Sequence, residues 1–67
     1  MFKVTFASKI GLKPRLYMTL KHADRAVKRI CAPYVKPGET LSYMCNLEGM
    51  GWWLTFAGEE LACVEIV

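Results

Sequence analysis

Few side chains in this 67-residue sequence are suited to covalent chemistry: one histidine, His22, and three cysteines, Cys31, Cys45 and Cys63. A nucleophile–base pair needs such groups within hydrogen-bond reach of one another. His22 falls on the polar side of a helical pattern and Cys31 on its apolar side, which keeps that pair apart. Cys45 and Cys63 belong to separate strand-like segments, where they are expected to pack as small hydrophobes. The odd count and the absence of any CxxC spacing point to neither a disulfide framework nor a zinc site.

The carboxylates are no more suggestive. Glu59 and Glu60 adjoin in a turn, where solvated acids are ordinary, while Glu39, Glu48 and Glu65 are scattered. An acid–base pair needs a cleft that perturbs its pKa values, and so short a chain has little depth for one. Gly49-Met50-Gly51 lacks the following helix and the Lys-Ser/Thr of a phosphate-binding loop. The expectation is a non-enzymatic protein with no cofactor and no metal.

Charge is the more informative pattern. The net charge of +3 conceals a segregation. Residues 1–36 hold all nine lysines and arginines and one acid, Asp24, giving +8; residues 37–67 hold five acids and no lysine or arginine, giving −5. Part of this split can serve folding, because the halves attract each other. Within the first half, however, Lys21, Arg25, Lys28 and Arg29 fall within about 100° of arc on one helix, with His22 at the edge. Such a row suits phosphates or an acidic protein surface. The alternative is a plain solvated helix face. Lys13, Arg15 and Tyr17 are candidates to extend the patch.

Trp52-Trp53 is the second feature. Consecutive strand residues face opposite ways, so the two indoles must part. Trp52 shares a face with Leu54 and Phe56 and is expected in the core; Trp53 is expected to look outward, near Met44 or Ser42. An outward Trp beside Met has the composition of an interface anchor. The competing assignment has Trp53 covering its own sheet or packing on Tyr17 or Tyr34.

The elements that must position these residues follow from periodicity. Phe2, Val4 and Phe6 alternate with Lys3, Thr5 and Ala7, predicting a strand over residues 1–8. Residues 9–18 are punctuated by Gly11 and Pro14, and Arg15 to Met18 is either a short second strand or an extended lead-in. Thr19 is a natural N-cap. From Leu20 the apolar residues Leu20, Ala23, Ala26, Val27, Ile30 and Cys31 share one arc, with Lys28 and Arg29 in the last turn and Pro33 as the stop. Lys36-Pro37-Gly38 signals a turn. Strands are predicted over 40–47, with Leu41, Tyr43, Cys45 and Leu47 on one face, over 52–57, and over 61–67, joined by turns at 48–51 and 58–60.

The predicted fold class is α+β: a single domain over residues 1–67, ordered β(β)αβββ, with an antiparallel sheet and one amphipathic helix packed on one face. Fifty-four per cent apolar content makes disorder a poor fit and leaves apolar surface to hide, for which a homodimer is an ordinary solution. The sequence shows no secretory signal and no span of the roughly 20 apolar residues that a bilayer requires. With its unpaired thiols this suggests a cytoplasmic setting. Three functions remain in view. The first is a protein-binding factor, an inhibitor or adaptor, docking on an acidic surface through Lys21, Arg25, Lys28, Arg29 and Trp53. The second is a nucleic-acid-binding module whose helix cations meet phosphates, although no helix-turn-helix, RRM, KH or zinc-finger signature is present. The third is a homodimeric structural subunit.

Overall fold

The computed structural model describes all residues, 1–67. Its elements run β1 (Phe2–Phe6), β2 (Arg15–Tyr17), α1 (Leu20–Cys31), β3 (Ser42–Cys45), β4 (Gly51–Leu54) and β5 (Glu60–Ile66), with a 3₁₀ turn at Ala32–Tyr34 closing the helix. This is the α+β arrangement expected from periodicity, and of the two alternatives for Arg15 to Met18 the structure has the short strand, Arg15–Tyr17. The five strands form one antiparallel sheet in the order β2-β1-β5-β4-β3. The first and last strands of the chain therefore pair at its centre.

The helix forms where its start signal and apolar spacing agree. The Thr19 hydroxyl accepts from the His22 amide at 3.1 Å, satisfying one free donor of the first turn. Ala23, Ala26, Val27 and Cys31 are buried on one face, while Lys28 and Arg29 lie in the last turn, where cations favour the helix dipole. Alpha1 lies over β1 and β2. Val4, Phe6, Leu61, Ala62 and Val64 rise from the sheet to meet it and, with Trp53, complete the core. The opposite sheet face has no covering layer.

Paired residues share a face, so the register shows what each side carries. On the helix side Tyr43, Trp53, Ala62 and Phe6 stand in one row across four strands, and Cys45, Gly51, Val64, Val4 and Arg15 in the next. On the open side Met44, Trp52, Cys63 and Thr5 form a row, flanked by Glu65, Lys3 and Leu16.

The tryptophan assignment made from alternation is thereby reversed. Trp53 is 0% exposed and lies in the core, whereas Trp52 is half-buried on the open face. The reason is that the strand does not continue to Phe56. Beta4 ends at Leu54, and Thr55 to Glu59 closes as a turn in which the Thr55 amide donates to the Glu59 carbonyl and the Gly58 amide to the Thr55 carbonyl. Phe56 sits in that turn, 82% exposed, and adds nothing to the Trp52 face. Three contacts favour Trp53 inside. Its ring meets Tyr43 with centroids 4.9 Å apart, its neighbour across β5 is the small Ala62, and its indole N–H reaches Asp24 on the helix. The irregularity after Trp53 pairs Leu54 with Glu60 and leaves Leu61 in the core beside Ala62.

Gly51 is required by the same packing. The Tyr43 ring lies over it, so that a Cβ at this position would run into the phenol. A cross-strand aromatic covering a strand glycine restores the packing that the missing side chain forfeits.

Candidate functional site

The predicted cation row is present on α1, but the packing divides it into two flanks. On the side toward β3 and β4, Asp24 sits between helix and sheet. Its Oδ1 accepts from Trp53 Nε1 at 3.0 Å and its Oδ2 meets Lys28 Nζ at 3.1 Å. The sole acid of the helix thus holds the core indole and neutralises Lys28. Lys21 lines a depression of about 340 Å³ on this side with Leu20, Asp24, Tyr43 and the fully buried Trp53.

On the side toward β2 the arrangement is different. Tyr17, His22, Arg25 and Arg29 line one cleft of about 260 Å³, floored by Ala26. Strand β2 brings Tyr17 there because its partner across the ladder is Phe2, on the helix-facing side. Arg15, paired with Val4, lies on that same face two residues away and is exposed. No carboxylate lines the cleft. The two ion pairs of the chain, Lys9–Glu59 at 2.6 Å and Lys28–Asp24, both use lysine. None of the three arginines makes a hydrogen bond or an ion pair within the molecule.

The glutamates lie away from this flank. Glu60 and Glu65 are on β5, Glu65 opposite Lys3 on the open face. Glu59 is held by Lys9, Glu48 follows β3 in the hairpin, and Glu39 borders a depression near the end of α1 together with Lys28 and Lys36. The charge segregation read along the chain is therefore partly a segregation in space.

Of the residues singled out by sequence, the structure brings together Arg25, Arg29, His22 and Tyr17, with Arg15 on the same face. It sets Lys28 against Asp24. It removes Trp53 from any docking surface, and it places Met44 on the open face, 58% exposed and opposite Trp52. The basic helix and the exposed sheet aromatic consequently lie on opposite sides of the sheet and do not form one continuous patch. Lys13 is exposed in the segment before β2. Sequence reasoning missed Asp24 as a structural residue; the signal was its position as the lone acid in a cationic helix.

The thiols are dispersed. Cys31 is buried on the core face of α1, Cys63 is half-buried on the open face, and Cys45 is exposed on β3 rather than packed as a small hydrophobe. Burial pushes the Cys31 thiol up; burial, followed by Glu60 and Glu65 nearby, does the same for Cys63. Both are thereby held in the protonated form, the opposite of an activated nucleophile. No group of three His, Cys, Asp or Glu side chains is disposed to hold a metal ion. No helix is long and apolar enough to cross a membrane.

Comparison of the chain with known protein families, with curated proteins and with solved structures finds no match.

Proposed function

We propose that this protein is a small non-enzymatic binding factor, of the inhibitor or adaptor type, that docks on an acidic protein surface through the β2-facing flank of α1. The observation that carries this reading is the set of unpartnered arginines there, with every glutamate elsewhere. A solvated helix face needs charge but not charge of one sign, and like charges gathered without counter-ions are held at a cost in self-repulsion. An acidic partner relieves that cost and gains steering toward the site. Trp53 has no part in the interface; Trp52 and Met44 offer a second, separate surface.

The test is capture from nuclease-treated lysate by immobilised protein, comparing wild type with Arg25→Glu/Arg29→Glu. A partner retained by wild type and lost by the reversal variant is expected. An unchanged set of captured proteins would sink the reading.

A second reading, a nucleic-acid-binding module, is favoured by one observation: an aromatic ring, Tyr17, stands beside Arg25 and Arg29, the combination that stacks a base while neutralising its phosphate. The acids of the second half do not oppose it, since they lie off this flank. It predicts a gel shift with DNA or RNA at low salt that weakens steeply as salt rises. No shift at low salt would end it.

A further inference from the structure

We propose that the cleft between β2 and α1 is a seat for a phosphate monoester. This deepens the docking assignment and rests on it for the identity of the flank. Two guanidinium groups, an imidazole and a phenol border one small depression, and no carboxylate enters it. Arginine presents a planar fork of donors that matches phosphate oxygens two at a time, which lysine does not. Neither Arg25 nor Arg29 spends its donors within the molecule, so both forks are free for a ligand.

The shape of the cleft fits the same ligand. Ala26 at the floor is small and buried, which leaves room for a compact group between the longer side chains. Tyr17 is packed against the core, which fixes one wall, and its hydroxyl makes no hydrogen bond within the molecule. A monoester carries about −1.5 to −2 charge at pH 7 on a compact head. That concentrated charge matches two arginines lining one small depression. A phosphodiester chain instead presents single charges in a row, and Asp24 neutralises Lys28, which would have prolonged the row along the helix.

The experiment is a titration of the isotopically labelled protein followed by NMR. The probes are inorganic phosphate and phenyl phosphate, with acetate at matched ionic strength and a thymidine oligonucleotide lacking terminal phosphates as controls. Saturable shifts at Tyr17, His22, Arg25 and Arg29 with both phosphates, and none with acetate, are expected. Arg25→Lys, which keeps the charge, should weaken phenyl phosphate binding by about tenfold. Equal responses to acetate and phosphate, or no response, would overturn the seat. So would an oligonucleotide that binds more tightly than phenyl phosphate at equal phosphate concentration, an outcome that favours nucleic acid.

The source of the ester is decided separately, by repeating the lysate capture after phosphatase treatment. Capture lost places the ester on the protein partner. Capture kept, with phosphate still bound in the titration, assigns the seat to a free small ester. Partner capture sensitive to charge reversal, but with no phosphate response in the titration, would leave the docking reading intact while removing the seat.

Discussion

The two flanks of α1 carry similar residues and do different things with them. Toward β3 and β4, Asp24 accepts from Trp53 and pairs with Lys28, so these two polar groups are committed to the fold, while Lys21 beside them is free. Toward β2, Arg25 and Arg29 have no partner at all. Buried and half-buried polar groups in folded proteins are almost always satisfied. Exposed cations need no partner; what separates the two flanks is that the one acid of the helix lies on the first and no carboxylate lines the second. One sequence pattern, a cationic helix, thus contains two regions that only packing tells apart.

The largest effect that should divide them is on stability. Trp53→Ala removes the largest fully buried side chain and leaves Asp24 without its indole donor, and is expected to cost about 3–5 kcal/mol. For a domain of this size that is most of the folding free energy, so a molten or unfolded chain is the expected result. Trp52→Ala, on the open face, should cost about 1 kcal/mol. Chemical denaturation followed by circular dichroism decides between them. Equal losses would mean that the register of β4 is wrong. Gly51→Ala comes next, at about 1–3 kcal/mol, because the new methyl group must displace the Tyr43 ring from over the strand. A fully tolerated alanine would contradict that packing.

Those tryptophans also show how far the sequence could be read. The helix was legible from Thr19 to Cys31, because a cap, an apolar arc and a terminal proline agreed. The β(β)αβββ order was legible too, since strands and turns alternated cleanly. Which indole faced inward was not. That depended on where β4 stops, which is set by the Thr55–Glu59 turn, and on a pairing irregularity at Leu61 that no periodicity encodes. The candidate site was half visible. The cations could be counted on a helical wheel, but their division followed from Asp24 reaching across to Trp53, a contact 29 residues apart in sequence.

Asp24 gives the next prediction. Asp24→Ala should destabilise by about 1–2 kcal/mol through the lost indole hydrogen bond. Asp24→Asn keeps an acceptor for Trp53 and gives up the exposed pair with Lys28, worth about 0.3–0.5 kcal/mol. In both variants capture of an acidic partner should persist, because Lys28 is released rather than removed. Loss of capture together with retained fold would place Asp24 in the interface and erase the distinction between the flanks.

The pH dependence probes the core independently of either flank. Cys31 and Cys63 have folded-state pKa values raised above the unfolded ones, chiefly by burial. In the window above the ordinary thiol pKa of about 8.5, the unfolded chain releases protons that the folded chain retains, so unfolding is favoured as pH rises. The contribution is fully present below that value and is lost as pH climbs through the raised pKa. Denaturation midpoints should therefore fall between pH 8 and 10, and Cys31→Ala, compared with itself across the same range, should fall less. Equal slopes would argue that the Cys31 thiol is not buried as described.

The smallest effect on stability belongs to the flank proposed to act. Arg25 and Arg29 touch no acid and make no hydrogen bond, so Arg25→Glu/Arg29→Glu removes no internal interaction. In the double variant the glutamates at 25 and 29, four apart, repel each other, while the one at 25 gains opposite charges at Lys21 and Lys28, four before and three after it, at about a few tenths of a kcal/mol each. Against this, an acid in the last turn meets the negative end of the helix dipole, a penalty of similar size. The changes nearly cancel, and the double variant should unfold within about 0.5 kcal/mol of wild type in thermal or chemical denaturation. The same variant is expected to lose its partner altogether. A stability loss of several kcal/mol would show instead that these arginines hold the fold together, and the two flanks would then differ in degree rather than in kind.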